Sequence, residues 1–298
     1  MADRPRGEPS AIMRGGRVKV IYVMGAGRSG STILGVALGN SDGVFFAGEL
    51  DRWLVRGGRP TVRREQAQGF WREVLELSGE SRGLFGGMTS CLERSSMLLD
   101  VRRWPRRRRL RPSYRRASER LYRVVAQVSG AELVVDTSHY PLRARELRAI
   151  EDIDLHLLYL LRDPRDVVSS LGRRDVRERT FGALTANAYL WLTQAVATFV
   201  FLSHRRDRRL LVRFEQFASD PEAVLGEILR WAGSDAAPAG PGPLVTGTPF
   251  HGNRLIEAEQ VTLERPAPGR RRGRPLTALV QLPWRLAAAL LRPAAGGR

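Results

Sequence analysis

The run Gly25-Ala26-Gly27-Arg28-Ser29-Gly30-Ser31-Thr32 gathers three glycines, one cation and three hydroxyls into eight residues, a set suited to wrapping an anion. Glycines let the backbone turn so that successive N–H groups converge, and the start of a following helix adds free N–H groups and a positive dipole end. The glycine spacing is that of a phosphate-binding loop, yet position 31 is serine where such a loop carries lysine, and the cation sits inside the loop as Arg28. In nucleoside triphosphatases the loop lysine bridges the outer phosphates beside a metal ion, so this loop argues against ordinary ATP or GTP hydrolysis.

A second group lies further along. The apolar run 155–161 reads as a buried strand and ends in Arg162-Asp163-Pro164-Arg165-Asp166-Val167-Val168-Ser169-Ser170. Asp163 is suited to cap a helix and Pro164 to its first turn, which puts Arg162 at the carboxyl end of a strand, where open α/β sheets bind ligands. Ser170 follows on roughly the same face, about 10 Å further along. An arginine at the mouth and a serine down the flank can hold a second phosphate between them.

Together the two groups resemble the nucleotide motifs of sulfotransferases that use 3′-phosphoadenosine 5′-phosphosulfate (PAPS), in the bacterial branch whose loop reads Gly-Arg-Ser-Gly-Ser-Thr. The resemblance covers residues 18–255. It implies that Gly27, Arg28, Ser29, Gly30, Ser31 and Thr32 cradle the 5′-phosphosulfate and that Arg162 and Ser170 hold the 3′-phosphate. His251-Gly252-Asn253-Arg254 is similar to a stretch near the nucleotide in related enzymes, which adds Arg254 as a cofactor contact. Arg213-Phe214-Glu215-Gln216-Phe217 matches an arginine, aromatic, acid segment that reads as architectural. PAPS is then the donor substrate, no metal is expected, and the acceptor carries a hydroxyl or an amine on a glycan, a lipid or a specialised metabolite.

Sulfuryl transfer needs cations near the leaving phosphate, donors for the equatorial oxygens and a base for the acceptor proton. Arg28 and the loop supply the first two. Two residues compete for the third: Glu49 stands at the spacing after Arg28 where tyrosylprotein-type sulfotransferases place a catalytic glutamate, and His139 stands where many bacterial relatives carry lysine. A cysteine cluster that relatives place ahead of a Phe-Trp pair is missing, and only Phe70-Trp71 remains. A nucleotide kinase on the same fold is the rival enzyme, with Asp136 as its sole candidate metal carboxylate. A basic peripheral protein using the fold as a scaffold is the rival from another class.

The elements that must position these residues follow from the hydropathy pattern. Short apolar runs at 18–24, 44–46, 133–135, 155–161 and 210–212 read as strands. They alternate with helical stretches at 31–38, 68–77, 113–128, 142–150, 164–171, 183–203 and 221–231, the signature of a parallel sheet covered by helices on both faces. With 298 residues, 43% of them apolar, one main α/β domain is expected. The formal charge of +18 is nearly all arginine, since Lys19 is the only lysine. Aromatic and basic residues are not interleaved as base stacking requires, so no nucleic acid partner is expected. The lone cysteine, Cys91, excludes an intrachain disulfide.

Residues 1–17 read as a disordered leader with no signal-peptide core, which points to the cytoplasm. The stretch 56–112 is poor in pattern and reads as a substrate-side insertion or a lid. Residues 256–298 read as a basic linker and a short amphipathic helix that either lies on an anionic membrane or packs on the domain.

Overall fold

Apolar residues at consecutive positions, rather than alternate ones, make strands buried on both faces, and the chain builds its sheet from five of them. The computed structural model describes residues 16–79, 89–171, 183–263 and 281–282. Strands β1 (Val18–Gly25), β2 (Val44–Gly48), β3 (Leu133–His139), β4 (Ile153–Leu161) and β5 (Arg209–Arg213) pair in the order β2-β3-β1-β4-β5, and every pairing is parallel. All the expected strands are present; β3 runs on to His139 and β4 starts two residues earlier than expected. A separate antiparallel pair joins Pro243–Val245 to Gln260–Thr262.

Alternation along β1 divides the core. Val20, Tyr22 and Met24 face a layer that includes Trp53, Trp71, Tyr122, Leu147 and Val200, while Ile21 and Val23 face Leu34, Leu38, Phe217 and Ile228. The first layer is built on α2 (Arg52–Arg56), α3 (Glu65–Ser78), α5 (Trp104–Ser129), α6 (Pro141–Leu147) and α8 (Ala183–Leu202). The second is built on α1 (Ser31–Leu38), α9 (Phe214–Ser219) and α10 (Pro221–Trp231). Short α4 (Ser90–Glu93) and α7 (Pro164–Leu171) complete the set among the described residues. This is the α/β architecture with helices on both faces that the pattern predicts.

Trp71 and Val74 of α3 are core residues, and α3 packs along α5, so α3 belongs to the body of the fold. The expected helix 113–128 begins instead at Trp104 and carries the arginine run and Pro112 within it. Pro112 removes one backbone bond, and the neighbouring Arg111 and Arg115 are tied to the buried Glu146 at 3.0 and 2.8 Å, which holds the turn in place. The leader to residue 15 lies outside the described residues; of the tail read from 256 onward, 256–263 are described and include the paired strand Gln260–Thr262, while beyond 263 only Gln281 and Leu282 are described. Gln281 is buried and its side-chain amide donates to Asn187 Oδ1 at 3.1 Å, so the tail touches the domain at that point.

At the carboxyl edge, β1 and β4 lie side by side while the chain leaves them in opposite directions, toward β2 from β1 and toward β5 from β4. Such a divergence opens a crevice at the strand ends.

Candidate active site

The crevice receives the loop between β1 and α1. Arg28 takes a left-handed conformation with φ 71°, and Gly30 caps α1 with φ 97° and no side-chain cap, which leaves the first N–H groups of α1 for another acceptor. Ser29 turns its hydroxyl inward, buried and without a hydrogen bond among the described residues. Ser31 and Thr32 open α1 and are largely buried.

The second group meets the first. Arg28 Nε donates to Ser170 Oγ at 3.2 Å, and Arg162 Nη1 donates to the carbonyl of Arg28 at 3.3 Å. Asp163 Oδ1 accepts from the Arg165 N–H at 2.8 Å, the capping expected from sequence, and Pro164 opens α7. The segment read as architectural props both groups: the Phe214 ring lies 4.5 Å below the Arg162 guanidinium and against Gly30, and Glu215 Oε1 accepts from the Asp163 N–H at 2.8 Å.

Glu49 follows β2 on a turn held by three consecutive N–H groups. Those of Glu49, Leu50 and Asp51 donate to His251 O (2.8 Å), Asp136 Oδ1 (3.4 Å) and Ser138 Oγ (3.0 Å). Glu49 Oε2 stands 3.6 Å from His251 Nε2. Burial, helped by Arg52 and Arg56, pushes His251 down to about 4, so it is neutral near pH 7. His139 ends β3 in a left-handed conformation with φ 56° and stacks on Tyr140. Burial, with Arg52 adding repulsion, lowers it to about 4 as well, and its Nε2 points toward Gly27.

Asp136 does not stand as a metal carboxylate at the strand end. It is fully buried and accepts from the Ser138 N–H (2.8 Å), the Ser138 hydroxyl, the Tyr122 hydroxyl and Arg143 (3.5 Å). Arg143 extends this network to Tyr114 at 2.6 Å and Glu93 at 3.4 Å. Arg254 lies on an exposed turn, and two residues before it Gly252 packs beside Thr32 of the loop. No group of three or more His, Cys, Asp or Glu placed to hold a metal ion occurs among the described residues.

Sequence reasoning missed Tyr189. Its helix reads as core, yet its hydroxyl accepts the Gly27 N–H at 3.3 Å, beside His139 and close enough to Glu49 for their charges to couple. It also missed Asp51, whose buried carboxyl is held well above the usual range by burial and by Glu93 and Glu49. One tyrosine in an apolar helix and one aspartate after a glutamate give no periodic signal that would mark them.

The sulfotransferase family model matches residues 21–238, from β1 through α10 and both nucleotide-suited groups. The chain belongs to the sulfotransferase family. Its fold is similar to the sulfotransferase domain from the curacin biosynthetic pathway, with a TM-score of 0.51 at 15% identity over 91% of this chain and 97% of that one. The sulfotransferase domain from the Synechococcus PCC 7002 olefin synthase aligns at 0.49 and 17% identity, covering 91% of this chain and 95% of that one. Sulfotransferase STF1 from Mycobacterium tuberculosis H37Rv aligns at 0.48 and 17%, covering 75% and 69%. No curated protein matches this sulfotransferase in sequence. Among its described residues, no helix is long and apolar enough to cross a membrane.

Proposed function

We propose that this sulfotransferase moves the sulfuryl group of PAPS to a hydroxyl, or an amine, of its acceptor. The observation that carries the reading is the junction of the two anion-suited groups through Arg28, Ser170 and Arg162. A donor with a 3′-phosphate and a 5′-phosphosulfate asks for two cationic pockets with a shared wall. In this reading the Gly27 to Thr32 loop takes the 5′ end, and Arg162 with Ser170 takes the 3′-phosphate.

The reaction breaks the bond from sulfur to the 5′-phosphate oxygen, forms one from sulfur to the acceptor oxygen or nitrogen, and passes the acceptor proton to a base. Arg28 and the free N–H groups of α1 offset charge on the leaving phosphate, where fixed donors act without reorganising. A sulfuryl group carries less charge than a phosphoryl group, so fixed donors suffice in this reading and it assigns no metal. Glu49 is the base, on a turn fixed by three backbone bonds. His139, neutral at pH 7, lies against the loop and bonds the leaving phosphate, and Tyr189 fills the space beside Gly27.

Calorimetric titration with adenosine 3′,5′-bisphosphate beside 5′-AMP tests the assignment. The parent binds the bisphosphate more tightly, and Arg162→Ala removes about ten- to a hundred-fold of that preference, the worth of a charge-assisted hydrogen bond. Equal bisphosphate affinity in the parent and Arg162→Ala would overturn the placement of the 3′-phosphate.

A further inference from the structure

The region 99–123 holds eleven arginines and two acids, and both acids are already paired, Asp100 with Arg103 at 2.7 Å and Glu119 with Arg123 at 3.0 Å. The inner side of α5 is fixed by Tyr114, Ser118, Leu121, Tyr122 and Val125, all buried, so its outer side cannot turn inward. Arg106, Arg109, Arg116 and Arg120 recur there at helical spacing and are exposed, a cationic stripe about 21 Å long at 1.5 Å per residue. Among the described residues no carboxylate pairs with Arg106, Arg108 or Arg109.

Ahead of the stripe in the chain, before α5 and at its first residue, three large apolar side chains are left in the open: Leu99 (73% exposed), Val101 (61%) and Trp104 (53%). Trp104 donates its indole N–H to the Leu98 carbonyl at 3.3 Å, so its polar edge is satisfied within the chain and the ring is free to enter an apolar medium. Apolar tips beside a row of cations complement an anionic bilayer, whose headgroups take the arginines and whose acyl boundary takes the tips. Leu99 and Val101 have no counterpart on a nucleic acid, where stacking demands aromatic rings along the basic groove.

We infer that the Leu99 to Trp104 tip and the arginine stripe of α5 form a surface that docks this protein on anionic lipid membranes. The inference uses no part of the sulfuryl-transfer reading. Arg94, five residues before Leu99, bears electrostatically on His139, Tyr140 and Tyr189 of the crevice.

The test is co-sedimentation of the full chain with vesicles of phosphatidylcholine and phosphatidylglycerol in equal parts, beside phosphatidylcholine alone and a short DNA duplex, at near-physiological salt. The chain partitions onto the anionic vesicles and only weakly onto the neutral ones. Arg106→Gln with Arg109→Gln lowers partitioning about 25-fold, at about fivefold per arginine near the surface. Arg63→Gln with Arg206→Gln removes the same charge from exposed sites elsewhere and lowers it much less. Trp104→Ala lowers it with no change of charge, whereas Trp104→Phe keeps it, and all variants melt with the parent. The inference is overturned if the anionic vesicles do not bind, if the control pair weakens binding as much as the stripe pair, or if the stripe substitutions abolish DNA binding while vesicle binding stays unchanged.

Discussion

Replacing Gly30 by alanine probes the join between the two nucleotide-suited groups. Gly30 sits at φ +97°, a conformation that costs an L-residue about 1–2 kcal/mol. A Cβ there would lie 2.2 Å from Phe214 Cε2 and 2.4 Å from Cδ2, so the ring must move, at about 1–3 kcal/mol for overpacking. The sum is about 2–5 kcal/mol of stability. Gly130 provides the comparison: it also has positive φ, 65°, but a Cβ there meets nothing within 4 Å, so Gly130→Ala carries the backbone term alone. Because the Phe214 ring stacks under Arg162, its displacement also shifts the guanidinium, and bisphosphate affinity falls with stability in Gly30→Ala and not in Gly130→Ala. Urea denaturation and calorimetric titration of both variants read the two effects, and in a Phe214→Ala background, measured against Phe214→Ala alone, Gly30→Ala costs only the backbone term because the clash is gone. Equal losses in the two glycine variants would refute the reasoning, since the clash would then have no consequence.

Other outcomes follow from the same geometry. Arg143→Met leaves Asp136 and Glu93 buried without their cation and costs about 3–5 kcal/mol in urea denaturation; an unchanged midpoint would contradict the network. His139 and His251 titrate at about 4 in the fold against an ordinary 6.5, so the unfolded chain binds protons that the fold refuses, and stability falls as pH drops from about 6.5 toward 4. Each histidine contributes up to about 1.4 kcal/mol per pH unit in that window, His139→Gln flattens the slope, and a flat parent profile would be the contrary result. Glu49→Gln loses transfer rate, followed with sulfur-labelled PAPS, while keeping bisphosphate affinity; His139→Ala loses affinity as well, and the reverse pattern would exchange their roles. Tyr189→Phe frees the Gly27 N–H and lowers rate more than affinity, and parental kinetics would remove it from the site.

Most of the frame was legible because buried parallel strands and capped helices leave local marks. Uninterrupted apolar runs gave the five strands, and Asp163-Pro164 marked the start of α7. Long-range packing left no such mark. Pro112 and the arginine run conceal the first turns of α5, because the carboxylate that steadies them, Glu146, comes from a distant helix. Asp136 looked available at a strand end, yet its partners Tyr122 and Arg143 come from helices on either side of β3 in the chain, and only the fold reveals that its oxygens are taken. Tyr189 and Phe214 reach the loop across more than 160 residues of sequence, a distance no spacing rule spans.

The most direct test of the central claim is calorimetric titration of the purified chain with adenosine 3′,5′-bisphosphate, beside ATP with magnesium, at moderate salt. The account predicts saturable one-to-one binding of the bisphosphate and none of ATP. Binding of ATP alone, or of neither nucleotide, would contradict it.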